Sequence, residues 1–260
     1  LTAVAIIPAR FASTRFPGKI VASRTGKPLV QHVVERARQS KRLREVIVAT
    51  DDQRIADVLS PFGTRCEMTS SSHVSGTDRI AEVARSLADG IVINIQGDEP
   101  EIEPETIDAL IGRLETGQEE MATAATPFPR DADVANPNLV KVVLDAESRA
   151  IYFSRSPIPF HRDSTHSHRP AYYLHQGIYA YRRDFLLQFA SWPPAPLEQA
   201  EKLEQLRVLE RGRRIYVVKT NRAVHGIDTP EQYEDFVKRY REAEGWSSEA
   251  AGFQQLAIGT

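Results

Sequence analysis

Three short runs, residues 4–8, 46–50 and 91–96, are rich in β-branched residues and largely apolar at consecutive positions, not at every second one. Strands of that kind are buried on both faces, which a sheet with helices packed above and below provides. The segments between the runs supply such helices. From Pro28, "PLVQHVVERARQ" places Leu29, Val33, Val34 and Ala37 on one face, with proline in the first turn. Residues 52–60 and 78–87 carry helical patterns too. This alternation predicts an α/β fold built on a parallel sheet.

The second half is less regular. Residues 121–127, 139–144 and 150–153 are strand-like, and 156–170, rich in Pro, His and Ser, read as a loop. Residues 172–181 alternate bulky side chains as a strand does. A helix is expected over 198–211, with Leu203, Leu206 and Leu209 on its apolar side, then a strand over 215–219. A last helix over 230–243 opens with Thr229, a good N-cap ahead of Pro230. No repeat or linker-like shift interrupts the chain. One compact unit with a mixed second half is expected, followed by a weakly patterned tail from Trp246.

At 260 residues the chain can bury a sizeable core, and its net charge of -2 provides no global field for nucleic acid or an anionic membrane. Anion binding therefore has to be local. A lone cysteine, Cys66, leaves no internal disulfide and fits a reducing compartment. No apolar stretch reaches the ~18 residues that span a bilayer, and the first residues lack a signal-peptide pattern. A cytoplasmic protein is expected, although the chain begins at Leu1 and not at a methionine.

The first run breaks into a loop carrying Arg10, Ser13, Thr14, Arg15 and Lys19, with one glycine, Gly18. In open α/β sheets ligands gather at the carboxyl ends of strands, where this loop lies. It has neither of the common glycine-rich phosphate signatures. Its cations suit phosphate oxygens instead, and a chain of three phosphates is the ligand that uses all of them. A solvated basic surface loop fits the same residues.

The third run ends in "NIQGDEPEIEP", residues 94–104, which puts Asp98 and Glu99 on the same rim. Magnesium takes hard oxygen ligands and is commonly held by one or two carboxylates together with substrate phosphates, so Asp98 is a candidate. An acidic turn, or Glu99 capping a helix that starts near Pro104, is the plain alternative. Asp228, in "VHGIDTPEQYEDF", offers a second carboxylate between a strand-like stretch and a helix, where it also fits a helix cap.

These pieces together resemble the 3-deoxy-manno-octulosonate (Kdo) cytidylyltransferases. The resemblance runs from Val4 to about Phe236 and rests on "IIPARFASTRFPGK", "GKPLVQHVVERA", "VATDD", "SGTDR", "INIQGDEP", "NLVKVVLD", "IYFSRSPIPF", "HQGIYAYR", "LEQAEKLEQLRVLE" and "IDTPEQYE". The first and fifth are shared with a wider set of nucleotidyltransferases, whereas "YFSRSPIPF" and "LEQAEKLEQLR" are more particular. The resemblance implies a Rossmann-like, mostly parallel sheet of the nucleotide-diphospho-sugar transferase type. It also implies one nucleotidyltransferase domain over 1–245: a nucleotide-binding part over about 1–130, a sugar-binding and dimerisation part over about 131–215, and a metal ligand with a closing helix over about 216–245. Residues 246–260 form a tail outside the family pattern.

The implied reaction joins CTP to the acid sugar Kdo, giving CMP-Kdo and pyrophosphate with Mg²⁺, for lipopolysaccharide synthesis by a homodimer. Matched motif to motif, Arg10, Ser13, Arg15 and Lys19 fall in the triphosphate loop and Pro8 and Ala9 beside the base. Ser75, Gly76 and Thr77 line a base and ribose pocket, where capping of the 78–87 helix is a role that can coexist. Asp98 and Asp228 become paired metal ligands, with a second Mg²⁺ carried on the triphosphate. Gln96, Arg155, His175, Glu201, Glu204 and Gln205 fall where the family recognises the sugar. Their plain readings are an ordinary salt-bridge former for Arg155, a core histidine for His175 and a solvated helix face for Glu201 and Glu204. No dedicated protein base stands out. Two departures are Gln176, where an apolar residue is more usual, and Ile20 and Val21 in place of proline and leucine. A transferase for another sugar acid, such as sialic acid or an amino analogue of Kdo, or a non-catalytic nucleotide-binding protein are the alternatives; a dinucleotide-dependent dehydrogenase is disfavoured by the missing glycine fingerprint.

Overall fold

A computed structural model describes residues 1–129, 131–162, 172–224 and 226–245. The three apolar runs become β1 (Ala3–Ala9), β2 (Leu43–Thr50) and β4 (Ile91–Asn94), with a short edge strand β3 (Arg65–Met68) that the sequence pattern does not announce. β1 pairs in parallel with both β2 and β4, and β2 with β3. The helices between them are α1 (Leu29–Ala37), α2 (Gln53–Leu59), capped by Asp52, and α3 (Gly76–Arg85). β4 stops two residues short of the expected end, leaving Ile95 and Gln96 to lead into the site. α4 (Pro104–Thr116) then returns the chain to β5 (Met121–Pro127).

The second half inserts into this frame. β6 (Lys141–Leu144), shorter than expected at its start, and β7 (Ala150–Ser154) form an antiparallel pair beside β8 (Tyr173–Arg182). β8 lies between β4 and β5, antiparallel to both, and β9 (Ile215–Lys219) closes the edge next to β5. The path reads β3-β2-β1-β4-β8-β5-β9, one mixed, mostly parallel sheet, as the α/β reading requires. α5 (Arg183–Ala190) follows β8 directly, where the sequence pattern suggested no separate helix.

The helix expected over 198–211 is two: α6 (Pro196–Glu201) and α7 (Leu206–Glu210), broken at Lys202 with φ 53°. The cause is tertiary. The Glu201 carboxylate accepts from the Ser154 hydroxyl (2.6 Å) and the Arg155 N–H (2.9 Å), and its carbonyl accepts from Arg155 Nε (2.7 Å). The last helix, α8 (Pro230–Ala243), has the expected bounds, and Thr229 caps it by accepting from the Gln232 N–H.

Two apolar layers flank the sheet. α1, α2 and α4 cover one face through Val30, Val34, Ile55, Ile107 and Leu110. α3, α5 and α7 cover the other through Ile80, Ala84, Phe185, Phe189 and Leu206. α8 makes a third, smaller cluster with Leu29 and Ile227 beside the carboxyl end of β1. Among the described residues no helix is long and apolar enough to cross a membrane. The tail from residue 246 and residues 163–170 of the expected 156–170 loop lie outside the described residues.

Candidate active site

After Ala9 the chain makes a closed loop, in which the Gly18 N–H donates to the Phe11 carbonyl (3.3 Å) and the Lys19 N–H to that of Phe16 (3.1 Å). Gly18 has φ +70°, a left-handed conformation that glycine adopts without a steric penalty. That turn delivers Lys19 inward, only 7% exposed. Its ammonium meets Asp98 Oδ2 at 2.6 Å and Asp228 Oδ1 at 3.2 Å. Arg15 reaches the other oxygen of Asp228 at 3.0 Å from the solvent side.

The two aspartates are placed by backbone. Asp98 follows Gly97, where an added Cβ would sit 3.2 Å from both the Pro8 carbonyl and the Ile20 side chain, so any larger residue would push the two strand ends apart by a few tenths of an ångström. The Ile227 N–H donates to the Asp98 carbonyl (2.9 Å), which pins the segment bearing Asp228 against it. Gln232 then accepts from the Asp228 and Thr229 N–H groups at 2.7 and 3.1 Å. Thr229 is therefore the cap, and the Asp228 carboxylate is left to face Lys19 and Arg15. Likewise the N-cap of α4 is Glu103, not Glu99. Glu99 is buried against Gly177, and its pKa is pushed up to about 8 by burial and by the adjacent Asp98.

Both carboxylates thus converge on one cation, here the protein's own ammonium. Among the described residues no group of three or more His, Cys, Asp and Glu side chains gathers as a metal cage. Two partly exposed hard oxygen donors are a set that Mg²⁺ accepts together with substrate phosphates and water, so the residues fit that ion.

The rest of the rim is close by. Arg10 donates to the His73 carbonyl (3.0 Å), and the Ser13 hydroxyl accepts from the Phe16 N–H at 3.4 Å. Ser75 caps α3 in a reciprocal pair with Asp78, and Gly76 brings that helix start onto Pro8, where a Cβ would lie 3.3 Å from the ring. Thr77 turns inward, 2% exposed, and its hydroxyl donates to Glu204 Oε2 at 2.5 Å. So Ser75, not Thr77, takes the capping role, and Thr77 joins the nucleotide side of the rim to the break between α6 and α7.

The six residues expected to face the sugar fall into separate groups. Glu204, held at 3.4 Å by Arg207, is pushed up in pKa by burial. Gln205 is buried with its amide nitrogen lacking a protein partner. The Arg155 guanidinium serves three carbonyls, those of Glu201, Pro137 and Lys202. His175 shares a hydrogen bond with the Thr123 hydroxyl (3.0 Å), and burial pushes its pKa down to about 3. Gln96 donates to Asn94 Oδ1 at 3.3 Å. The Gln176 amide nitrogen donates to the Thr220 hydroxyl (2.8 Å) and the Arg222 carbonyl (2.7 Å), which gives a polar residue a role at that position, while its Oε1 is buried without a protein partner.

Lys141, Thr123 and Arg207 were not foreseen. Lys141 is fully buried and donates to the carbonyls of Asn136 (3.1 Å) and Arg155, fixing the strand end that carries Arg155. A lysine inside the apolar run "LVKVVL" was the available signal. Thr123 bonds the carbonyls of Gln176 and Ile178 where β8 slips register against β5. Arg207 grips Glu198 with two nitrogens.

Residues 4–215 match the family described as Cytidylyltransferase. A 3-deoxy-manno-octulosonate cytidylyltransferase of Geobacter sulfurreducens is 52% identical over 246 residues, covering 91% of this chain and 98% of its own length. The protein of that name from Solibacter usitatus is 49% identical over 230 residues, 88% of this chain and 90% of its own. The chain belongs to the 3-deoxy-manno-octulosonate cytidylyltransferase family. A solved CMP:2-keto-3-deoxy-manno-octonic acid synthetase complexed with CTP superposes with a TM-score of 0.88 at 41% identity, covering 94% of this cytidylyltransferase and all of that chain. A putative glucose-1-phosphate thymidylyltransferase from Bacillus anthracis, 14% identical with a TM-score of 0.66 over 93% of this chain and 96% of its own, shares the fold.

Proposed function

We propose that this chain transfers the cytidylyl group of CTP to Kdo, releasing pyrophosphate. The single observation that carries the reading is the near-50% identity, over about nine-tenths of the chain, to enzymes named for that reaction. The site is chemically suited to it. The sugar's anomeric oxygen attacks the α-phosphorus, the bond from that phosphorus to the β-phosphate oxygen breaks, and the hydroxyl proton leaves to solvent. Positioning and charge stabilisation dominate such transfers.

In this reading Arg10, Ser13 and Arg15 bind the triphosphate, Pro8 and Ala9 flank the base with Ser75, Gly76 and Thr77, and Lys19 stabilises charge developing on the leaving pyrophosphate. Asp98 and Asp228 hold Mg²⁺, which when bound neutralises crowded anions and lowers the pKa of the attacking hydroxyl. A further Mg²⁺ accompanies the triphosphate. Gln96, Arg155, His175, Glu201, Glu204 and Gln205 orient the sugar, His175 from a ring whose pKa burial has pushed down to about 3 in the free protein. The enzyme acts as a cytoplasmic homodimer that supplies an activated sugar for lipopolysaccharide.

Pyrophosphate release from CTP, Mg²⁺ and Kdo tests the reaction, with UTP, ATP and a panel of other sugar acids as comparisons. Turnover with Kdo and CTP well above every other pair is expected. CTP binding with no pyrophosphate release from any sugar acid would sink the proposal.

A further inference from the structure

The ion pairs at Lys19 bear on the order in which the site fills. A cation already sits between Asp98 and Asp228, 2.6 Å from one carboxylate and 3.2 Å from the other, on a side chain that is almost fully buried. A divalent ion bound by the same two oxygens and that ammonium repel each other and compete for the same lone pairs. We infer that Lys19 is a tethered placeholder for the metal: it satisfies the two carboxylates in the free protein and keeps divalent cations out until a polyphosphate draws it away. This rests on the reading of Asp98 and Asp228 as metal ligands.

The structure gives the placeholder a reason. Two partly exposed carboxylates facing one point without a cation repel, and the buried ammonium of Lys19 left without an anion is costly. The 3-10 turn Lys19–Val21 and the left-handed Gly18 fix the root of the lysine, while its four-carbon stem lets the ammonium move without the backbone. Arg15, more than half exposed on the outer oxygen of Asp228, is free to leave with it. Nucleotide and metal affinities are then coupled, and by linkage each raises the other by the same factor.

Mn²⁺ alone is the probe, with its free ion counted by electron paramagnetic resonance on the full chain without nucleotide. Lys19→Met is expected to bind Mn²⁺ at least tenfold more tightly than wild type, and adding Asp98→Asn to that variant should abolish the gain. Lys19→Gln serves as a second variant, with thermal melting as its readout: added Mn²⁺ should raise its Tm more than that of wild type. Equal Mn²⁺ affinities for wild type and both Lys19 variants, still lost with Asp98→Asn, overturn the placeholder and leave the metal reading standing. Mn²⁺ binding that is indifferent to Asp98→Asn overturns the metal reading, and the placeholder with it.

Discussion

Lys19 touches both aspartates, so substitutions there and at Asp98 separate two parts of the chemistry. Asp98→Asn keeps the shape but removes the charge that a divalent ion needs, and CMP-sugar formation should be abolished while far-ultraviolet circular dichroism is unchanged. Near-normal pyrophosphate release in that variant would refute the metal assignment. Lys19→Ala should raise the barrier by about 2–4 kcal/mol, as loss of one preorganised charge does elsewhere. A change in kcat under threefold removes Lys19 from the mechanism. That these residues would meet was legible because cations and carboxylates both fall where strands end on one rim, although a solvated loop and a helix cap fit the same residue types. Arg207, Thr123 and Lys141 were not, because each acts on carbonyls or carboxylates that only the folded chain brings near. Away from the site, His32 lies between Phe236 and Tyr240 with its Nε2 2.6 Å from the Thr25 hydroxyl, and burial, helped by Lys27, pushes its pKa down to about 4. Above pH 7 the ring is neutral folded or unfolded, so its contribution is constant there. Below about 6.5 the unfolded chain takes up a proton that the folded ring refuses, and stability falls as the pH drops toward 4. At pH 5 the loss is about 2 kcal/mol from this group. Urea unfolding at pH 7.5 and 5.0 should show His32→Phe losing less stability than wild type between the two; equal losses would remove His32 from the account.

Among the elements, those whose pattern is self-sufficient were readable to within a residue or two. α8 has its cap, proline and apolar stripe in sequence order, and β1 is uniformly apolar. The break in the expected 198–211 helix was invisible because Leu203, within it, and Leu206, which opens α7, are both buried at helical spacing, so the periodicity never fails. What stops the helix is the end of β7, whose Ser154 and Arg155 capture Glu201 from another part of the chain. β3 escaped notice for a related reason: at the sheet edge its four residues are partly exposed and carry Arg65 and Glu67, which read as a polar connection. The break leaves a mark that can be measured. Lys202 is held at φ 53°, and an L-residue there costs roughly 1 kcal/mol that glycine avoids. Its exposed side chain makes no contact that the break depends on; the Arg155 bond is to its carbonyl. Lys202→Gly should therefore stabilise the protein by at most about 0.6 kcal/mol, because glycine's freer unfolded state offsets much of that cost. Urea unfolding of the variant reads this directly, and a loss of stability would mean the lysine side chain itself holds the junction.

At the scale of the whole molecule, the expected division into a nucleotide-binding part over about 1–130 and a sugar-binding part after it rests on the order of motifs, and the strands do not follow it. β8 comes from the second part and lies between β4 and β5 of the first, antiparallel to both. Its Ile178 and Ala180 enter the core beneath α1 and α4, and Tyr181 enters the core on the opposite face. α3, which carries Ser75 and Thr77, packs on that same opposite face with Phe185 and Phe189 of α5. A chain cut at residue 130 would thus lose the strand that joins β4 to β5, the helix that covers α3, and Asp228 with the aspartate-bridging geometry. Three unpaired strand edges, one on β4 and both on β5, which also loses β9, together with an uncovered apolar helix face favour aggregation over an independent fold. The fragment 1–130 is expected to show no cooperative urea transition and no CTP binding, while the full chain unfolds in one transition seen alike by circular dichroism and tryptophan fluorescence. Trp192, which reports on the second half, packs against Phe185 and Phe189, so its signal should not precede the loss of the parallel strands. A well-dispersed NMR spectrum from the fragment would show that β1, β2 and β3 with their helices suffice, and that β8 was added to a frame already able to stand.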